Sequence, residues 1–373
     1  MMKSEKLFVI AGEASGDLHG ANFMQAVLDE NPSVEFEFWG GDKMQKVAPK
    51  GLKKHINELA FMGFVEVLMN IRTILSNISL CKKNIEEFQP DALVLIDYPG
   101  FNLRIAEWAK TKGIKVYYYI SPQVWAWKQN RVHKIKKVVD EMYVILPFEK
   151  DFYKKFDIDV NYVGHPLIDE IQKHNFKASD EFRVKHGLDE RPILAMLPGS
   201  RKQEVSKKLP IMLKAVEKLT THQIVIAGAP TLTKEFYAQF NENTQIIHNE
   251  TYELLANSNV AVVTSGTATL ETALFKVPEV VCYKGSSISY AIAKRLIKVK
   301  YISLVNLIMD KEVVKELIQN ECTPENIEAE VNKLVNDKAY RNSVLNSYND
   351  LEKILGGGGA SKKVAQSLLK TIH

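Results

Sequence analysis

Several features that would place the chain outside a cell or within a membrane are scarce or missing. Its 373 residues hold three cysteines, Cys81, Cys282 and Cys322. An odd, widely spaced set of this kind supports neither a disulfide framework nor a zinc site and fits a reducing cytoplasm. No apolar run reaches the roughly 20 residues needed to span a bilayer, and Met1 to Lys6 lead into the first strand without a signal-type segment. The expectation is a chain neither exported nor integral. The net charge of +4 is too slight at this length to imply nucleic acid as a partner. Low-complexity tracts and solenoid periods are lacking, which argues against disorder and repeat arrays. Lacking too is G-x-G-x-x-G, so a dinucleotide-dependent oxidoreductase is disfavoured and no cofactor is expected. Asp157-Ile158-Asp159 has the D-x-D spacing of a metal site but sits beside Lys154 and Lys155 without a companion ligand. It reads as a surface turn, and no metal is expected.

What the chain does have is alternation. Short β-rich runs separated by helical patterns recur throughout, the mark of parallel sheets with crossover helices. Leu7–Ala11, Phe36–Trp39, Ala92–Asp97, Lys115–Ile120, Met142–Ile145 and Asn161–Val163 read as strands of one half. Ile193–Leu197, Gln223–Ala227, Gln245–Ile247, Val260–Val263 and Val280–Tyr283 read as strands of the other. The polar stretch from His165 to Pro192 reads as the linker. The expected fold class is α/β, with two doubly wound Rossmann-like lobes over residues 1–170 and 171–355 and a cleft between them. Gly356 to Gly359 then form a joint, and the amphipathic end of residues 356–373 is free to cross back to the first lobe or to exchange with a neighbour in a homodimer.

Ligands of such sheets bind beyond the carboxyl ends of strands, so the loops there carry the candidates. Gly12-Glu13-Ala14-Ser15-Gly16-Asp17 follows the first strand; Glu13, Ser15, Asp17 and His19 crowd it. These side chains suit a sugar hydroxyl or phosphate, and Asp17 suits equally a helix cap near Gly20. Asp97 ends its strand before Tyr98-Pro99-Gly100-Phe101-Asn102. Partial desolvation there raises a carboxyl toward the range of a useful base, and Asn102 is the better helix cap. Pro198-Gly199-Ser200-Arg201 offers a forked cation for a diphosphate, or else a capped helix with a surface arginine. Ser265-Gly266-Thr267-Ala268-Thr269-Leu270-Glu271 offers N–H groups to phosphate, with Glu271 either accepting from ribose or serving as an early helical acid. Ser121 to Trp127 bring two tryptophans near Lys128 and Arg131, to stack on a sugar or simply to pack.

One helical stretch is broader in its apolar arc than core packing needs. Phe61, Phe64, Val65, Leu68, Ile71 and Leu75 share a face that Met62, Val67 and Met69 widen. Such a helix is buried on most sides or meets a membrane surface, where Lys294, Arg295, Lys298 and Lys300 would favour anionic headgroups.

Taken in order, the loops at Gly12–Asp17 and Ile96–Asn102, the runs Met62–Leu68 and Ser121–Trp127, Leu146-Pro147-Phe148-Glu149, Leu197–Arg201, Ser265–Ala268 and Tyr301–Leu307 resemble the bacterial lipid-A-disaccharide synthases over nearly the whole chain. That resemblance implies a GT-B glycosyltransferase, cytoplasmic and peripheral on the inner membrane. It implies transfer of 2,3-diacylglucosamine from UDP to the 6-hydroxyl of 2,3-diacylglucosamine 1-phosphate, with inversion and release of UDP. Asp97 would be the base, with Glu13, Ser15 and Asp17 near the reacting centre. Arg201, Ser200, Gly199, Ser265, Gly266, Thr267, Glu271 and Asn306 would belong to the UDP side. The family's motif carries a second acid where this chain has Gly100, which leaves Asp97 as the acid of that loop. The rival readings are a lipid-linked muropeptide transferase, a UDP-sugar epimerase, and a non-catalytic nucleotide-binding membrane scaffold.

Overall fold

The computed structural model describes residues 5–59, 71–174, 176–242, 244–286, 290 and 299–372. They form two compact units: Met1–Asp169 with Gly358–His373, and Glu170–Gly357. Phe61, Phe64, Val65, Leu68, Lys294, Arg295 and Lys298 lie outside the described residues, and Ile71 opens the helix Ile71–Phe88. Among the described residues no helix is long and apolar enough to cross a membrane.

The first unit is built on seven strands: β1 (Lys6–Ala11), β2 (Glu35–Gly40), β3 (Leu52–His55), β4 (Ala92–Ile96), β5 (Lys115–Tyr119), β6 (Glu141–Val144) and β7 (Asn161–Tyr162). Their order is β3-β2-β1-β4-β5-β6-β7, every pair parallel. Side chains of a strand alternate between faces, and here both faces are covered. Phe8, Ile10, Leu93 and Leu95 enter one apolar cluster, whereas Leu7, Val9, Val94 and Ile96 enter another. That double burial is why the central strands read as unbroken hydrophobic runs. The second unit repeats the plan with β8 (Ile193–Leu197), β9 (Gln223–Gly228), β10 (Gln245–His248), β11 (Ser258–Thr264), β12 (Glu279–Tyr283) and β13 (Lys315–Ile318), ordered β10-β9-β8-β11-β12-β13 and again parallel.

Two strands were not among those expected. Leu52-Lys53-Lys54-His55 and Lys315-Glu316-Leu317-Ile318 form β3 and β13, each at the edge of its sheet. Edge strands tolerate charged side chains, so neither shows the apolar run that marks an interior strand. The polar stretch expected as a linker also differs, because it forms helices Pro166–His174 and Asp180–Lys185. Few apolar groups were needed: Leu167, Ile168 and Phe182 are buried, and the Ser179 hydroxyl caps the second helix by accepting from Phe182 N–H at 3.2 Å.

After Gly356–Gly359 the last helix, Ala360–Thr371, belongs to the first unit. Val364, Ala365, Leu368 and Ile372 enter the cluster that also holds Phe23, Met24 and Val27. Tyr143 Oη donates to Ser367 Oγ at 3.1 Å, and Gln366 Nε2 to Glu30 Oε1 at 2.8 Å. The Asp169 carboxylate anchors the turn by accepting from the Gly359 N–H.

Candidate active site

Strand order decides where each unit can bind. In both sheets the first strand of the unit pairs with its fourth, β1 with β4 and β8 with β11. The loops after such a pair splay apart at the reversal of order and leave a crevice.

In the second unit that crevice is a cavity of about 270 Å³. Gly199, Ser200, Ser265, Gly266, Thr267 and Glu271 all line it, so six of the eight residues expected on the UDP side come together within one unit. Gly266 caps the helix Thr267–Leu274 with φ +154°, a backbone geometry that a Cβ would strain. Helix geometry leaves the N–H groups of that first turn without carbonyls behind them, and the helix dipole adds partial positive charge. Anionic oxygen is therefore the natural guest. The donors of Ser265 are already used inside the protein: its N–H goes to Cys282 O and its hydroxyl to Ile302 O, each at 3.0 Å.

Glu271 stands at the same wall. Burial pushes its carboxyl up to about 7, against the pull of the Tyr252 hydroxyl, which donates to it at 3.3 Å. A carboxyl raised to about 7 is roughly half protonated at neutral pH, so it presents less negative charge to a diphosphate than an ordinary glutamate while keeping an oxygen for a sugar hydroxyl. Arg201 is the N-cap of the helix Lys202–Ala215, its guanidinium largely in solvent and its Nη1 3.9 Å from Glu204 Oε1. It borders the cavity loops without lining the cavity itself.

Several residues that line this cavity escaped the sequence reading, Thr251 and the Gly228-Ala229-Pro230 turn at the end of β9 among them. Glu204 lines the cavity, and its only signal was an acid three places after an N-cap. Thr264 also lines it, with a buried hydroxyl oxygen that has no hydrogen-bond partner. Asn306, in contrast, does not reach the cavity. Its side chain is fully buried, donates to Val314 O and Glu316 Oε1 at 2.9 Å each, and accepts from Val313 N–H at 2.7 Å and Val314 N–H at 3.0 Å. Glu316 in turn accepts from the Ile302 and Ser303 N–H groups, and Ile302 O is the group that holds Ser265. Asn306 is thus joined to the cavity wall through a relay of bonds.

In the first unit the β1 and β4 loops meet. Asp97 and Tyr98 both take left-handed backbone angles, φ +45° and +48°, which are uncommon for side-chain-bearing residues and cost roughly 1–3 kcal/mol each. The bend is held from below. Asp97 O accepts from Asn102 Nδ2 at 2.7 Å and from Tyr118 Oη at 2.6 Å. Asn102 is accordingly no helix cap; it is a buried clamp, and the helix Pro99–Thr111 starts from Tyr98. The Tyr98 ring lies so close over Gly12 that a Cβ there would come within 2.3 Å of it, so only glycine permits the two loops to touch. Burial, and then the negative charge of Glu13, push the Asp97 carboxyl up to about 6. That is the range of a base working near neutral pH.

The other residues of the first loop divide. Glu13 and Ser15 are exposed at the start of the helix Ala14–Glu30. Asp17 is buried and fully engaged: Oδ1 accepts from Gly41 N–H at 2.8 Å and Met44 N–H at 3.0 Å, and Oδ2 from Lys43 N–H at 3.0 Å. It caps the helix Asp42–Val47 rather than one near Gly20, since its own helix begins earlier, at Ala14. His19, beside it, is held neutral, its imidazole lowered to about 4 by burial and by Lys43. Of the tryptophans, Trp125 is buried, whereas Trp127 is exposed beneath the Lys128 ammonium, 4.3 Å from its ring centre.

Residues 7–366 match the family described as lipid-A-disaccharide synthetase. The lipid-A-disaccharide synthase of Syntrophus aciditrophicus is 41% identical over 381 residues, covering 100% of this chain and 99% of its own. That of Trichlorobacter lovleyi is 38% identical over 380 residues, covering 100% and 98%. In fold the chain is similar to UDP-GlcNAc 2-epimerase from Neisseria meningitidis, solved with UDP-GlcNAc bound (TM-score 0.67, 15% identity, 98% of this chain and 100% of that one). It is similar also to a calicheamicin glycosyltransferase (TM-score 0.60, 14% identity, 100% and 99%). These structural likenesses speak for a GT-B arrangement of two Rossmann-like lobes and for nothing finer. The full-length match in sequence goes further: the chain belongs to the lipid-A-disaccharide synthase family, glycosyltransferases that form the lipid A disaccharide from nucleotide-sugar and lipid substrates.

Proposed function

We propose that the reaction is a single in-line displacement in which the second unit holds the leaving group and the first supplies the base. The donor is UDP-2,3-diacylglucosamine, the acceptor 2,3-diacylglucosamine 1-phosphate, and the product the β-1,6 disaccharide 1-phosphate. The observation that carries this reading is the cavity between the β8 and β11 loops, whose helix-start N–H groups suit a nucleoside diphosphate and whose Glu271 carboxyl, raised by burial, opposes it less than an ordinary glutamate would. As the anomeric carbon–oxygen bond breaks, negative charge grows on the diphosphate. The N–H groups at Gly266 and Thr267 take it up with no reorganisation, and Arg201 leaves Glu204 to meet it. Asp97 removes the proton of the acceptor 6-hydroxyl as that oxygen attacks the opposite face, so configuration inverts and no covalent intermediate forms. In this reading Glu13 and Ser15 touch the acceptor, while Asp17 and Asn306 keep loops in position.

The test is direct. Purified protein incubated with both substrates, the donor radiolabelled, is expected to yield labelled disaccharide 1-phosphate and UDP in equal amounts. An epimerised sugar without disaccharide, transfer only to a lipid-linked muropeptide supplied in a parallel incubation, or UDP binding without turnover would each overturn the proposal in favour of a rival.

Both substrates carry acyl chains, which makes a bilayer surface the place where they are met. We assign contact with it to the face formed by Phe61, Phe64, Val65, Leu68 and Ile71, on the pattern of the sequence. Burying a large apolar side chain is worth about 1.5–3 kcal/mol, so two or three suffice for reversible attachment. Replacing Phe64, Val65 and Leu68 together by serine is expected to lower the fraction sedimenting with anionic vesicles at least about tenfold, with unchanged circular dichroism. Undiminished sedimentation would remove this face from the role.

A further inference from the structure

The loop after β5 has no task in the displacement, although it stands at the carboxyl end of the first sheet. Its inner part is anchored. Ser121 Oγ lies 2.6 Å from Tyr153 Oη, and Trp125 is buried with its ring edge-on to Phe148, centroids 5.0 Å apart. Its outer part turns to solvent. Lys128 takes the left-handed angle φ +53°, the Arg131 N–H donates back to Lys128 O at 3.0 Å, and the helix Arg131–Val138 follows. Trp127 is left 43% exposed at this turn. Lys128 Nζ stands 4.3 Å from the centre of its ring and Arg131 Cζ 5.9 Å, so one indole gathers two cations. Among the described residues neither has an acid within ion-pair distance, whereas Lys134 and Lys136 of the same helix are paired with Glu107 and Asp157.

An exposed contact between a cation and a ring is weak, so both charges remain available to an anion. Position indicates which anion. β5 pairs with β4 in register, Ile96 opposite Tyr119, and the loop therefore rises beside the Asp97 bend. Tyr118 ties the two together: its Oη donates to Asp97 O at 2.6 Å, and the Arg131 charge reaches the same hydroxyl. The acceptor of the proposed reaction carries its 6-hydroxyl and its 1-phosphate on one pyranose ring. With the hydroxyl at Asp97, the phosphate is a single sugar away, toward a neighbouring loop. A phosphate monoester bears a charge approaching −2, which answers two cations. The forked guanidinium of Arg131 suits its oxygens, and the face of Trp127 suits the apolar side of a sugar.

We propose that Lys128 and Arg131, gathered over Trp127, are the subsite for the phosphate monoester of the acceptor, an assignment that rests on the reaction proposed above. They set specificity: the pair holds the far end of the acceptor sugar so that its 6-hydroxyl meets Asp97, and an acceptor without the phosphate loses that hold. The phosphodiester of a bilayer headgroup offers related chemistry with a single charge, and the assay medium separates the two sources.

Rates are measured in neutral detergent micelles with 2,3-diacylglucosamine 1-phosphate and with the same lipid lacking its phosphate. The double variant Lys128→Gln, Arg131→Gln removes both charges and keeps a long polar side chain at the left-handed turn. Its kcat/KM is expected to fall at least about tenfold for the phosphorylated acceptor, the loss of charge-assisted contacts, and to stay within about twofold of the parent for the other. Equal losses for both acceptors, as a structural role would give, overturn the assignment. So does a loss seen on anionic vesicles and not in neutral micelles, the mark of a headgroup site. Binding is read without turnover by saturation-transfer NMR of glucosamine 1-phosphate, with excess UDP filling the cavity of the second unit. A signal on the parent and none on the double variant is expected; a signal that persists in the variant overturns the assignment. The expected NMR result without any disaccharide would sink the proposed reaction and leave the phosphate site standing. Disaccharide formed equally well from both acceptors by the parent would do the reverse.

Discussion

Asp97→Asn is expected to lower turnover by about 10²–10⁴-fold, the usual contribution of a positioned general base, while the affinity for UDP stays within about twofold because the lost proton acceptor acts only in the transition state. The substitution is nearly isosteric. Asp97 is fixed through its backbone carbonyl by Asn102 and Tyr118, so the left-handed bend survives the change. The pH dependence carries a second mark. With the carboxyl at about 6, the active, ionised form is dominant above that pH and is titrated away below it. The acid limb of kcat/KM is therefore expected to fall about tenfold per pH unit below roughly pH 6 in the parent chain. In Asp97→Asn the residual activity is expected to lack that limb. Turnover comparable to the parent, or an unaltered acid limb in the variant, would take Asp97 out of the base role and point to Glu13 as its replacement.

A second large effect is expected at Asn306, and in a different observable. Its amide joins Val313, Val314 and Glu316 through four buried hydrogen bonds. Asn306→Ala leaves two backbone N–H groups, a carbonyl and a carboxylate oxygen short of partners, each lost pairing costing about 1–3 kcal/mol before relaxation. Relaxation and water entry recover part, so a destabilisation of about 2–5 kcal/mol is expected in urea unfolding of the second unit. UDP affinity of the folded fraction is expected to fall only modestly, through loosening of Ile302 and hence of Ser265. A ligand contact would produce the reverse, intact stability with weak binding, and that result would return Asn306 to the cavity wall.

The contrast between these residues shows what sequence pattern carries and what it omits. Strands such as Ala92–Ile96 and Ile193–Leu197 are buried on both faces, so they announce themselves as apolar runs, and the loops after them are found at once. Alternation of strands and helices puts all the strand-to-helix loops at the carboxyl ends of a parallel sheet, which is why the cavity residues were legible as a group, whereas the order that sets β1 beside β4 and β8 beside β11 is not contained in that alternation. Asp17 and Asn102 were legible as important but not in their roles. Asp17 serves backbone amides 24 to 27 residues away, and Asn102 serves the carbonyls of Ile96 and Asp97 across the end of a strand. A polar side chain signals only that it wants a partner; three-dimensional placement chooses it. Edge strands β3 and β13 were silent for a related reason, since a strand with one free side need not be apolar.

The first unit is discontinuous, closed by the helix Ala360–Thr371 after the whole of the second has been traversed. On the ribosome this reverses the order of completion. The second unit, an unbroken stretch of chain, has all its residues available before the nascent first sheet receives Val364 and Leu368 against Phe23 and Val27. The β1 and β2 region must therefore wait with an apolar face uncovered until the whole of the second unit has been made, and the four glycines at 356–359 leave the late-arriving helix free to find it.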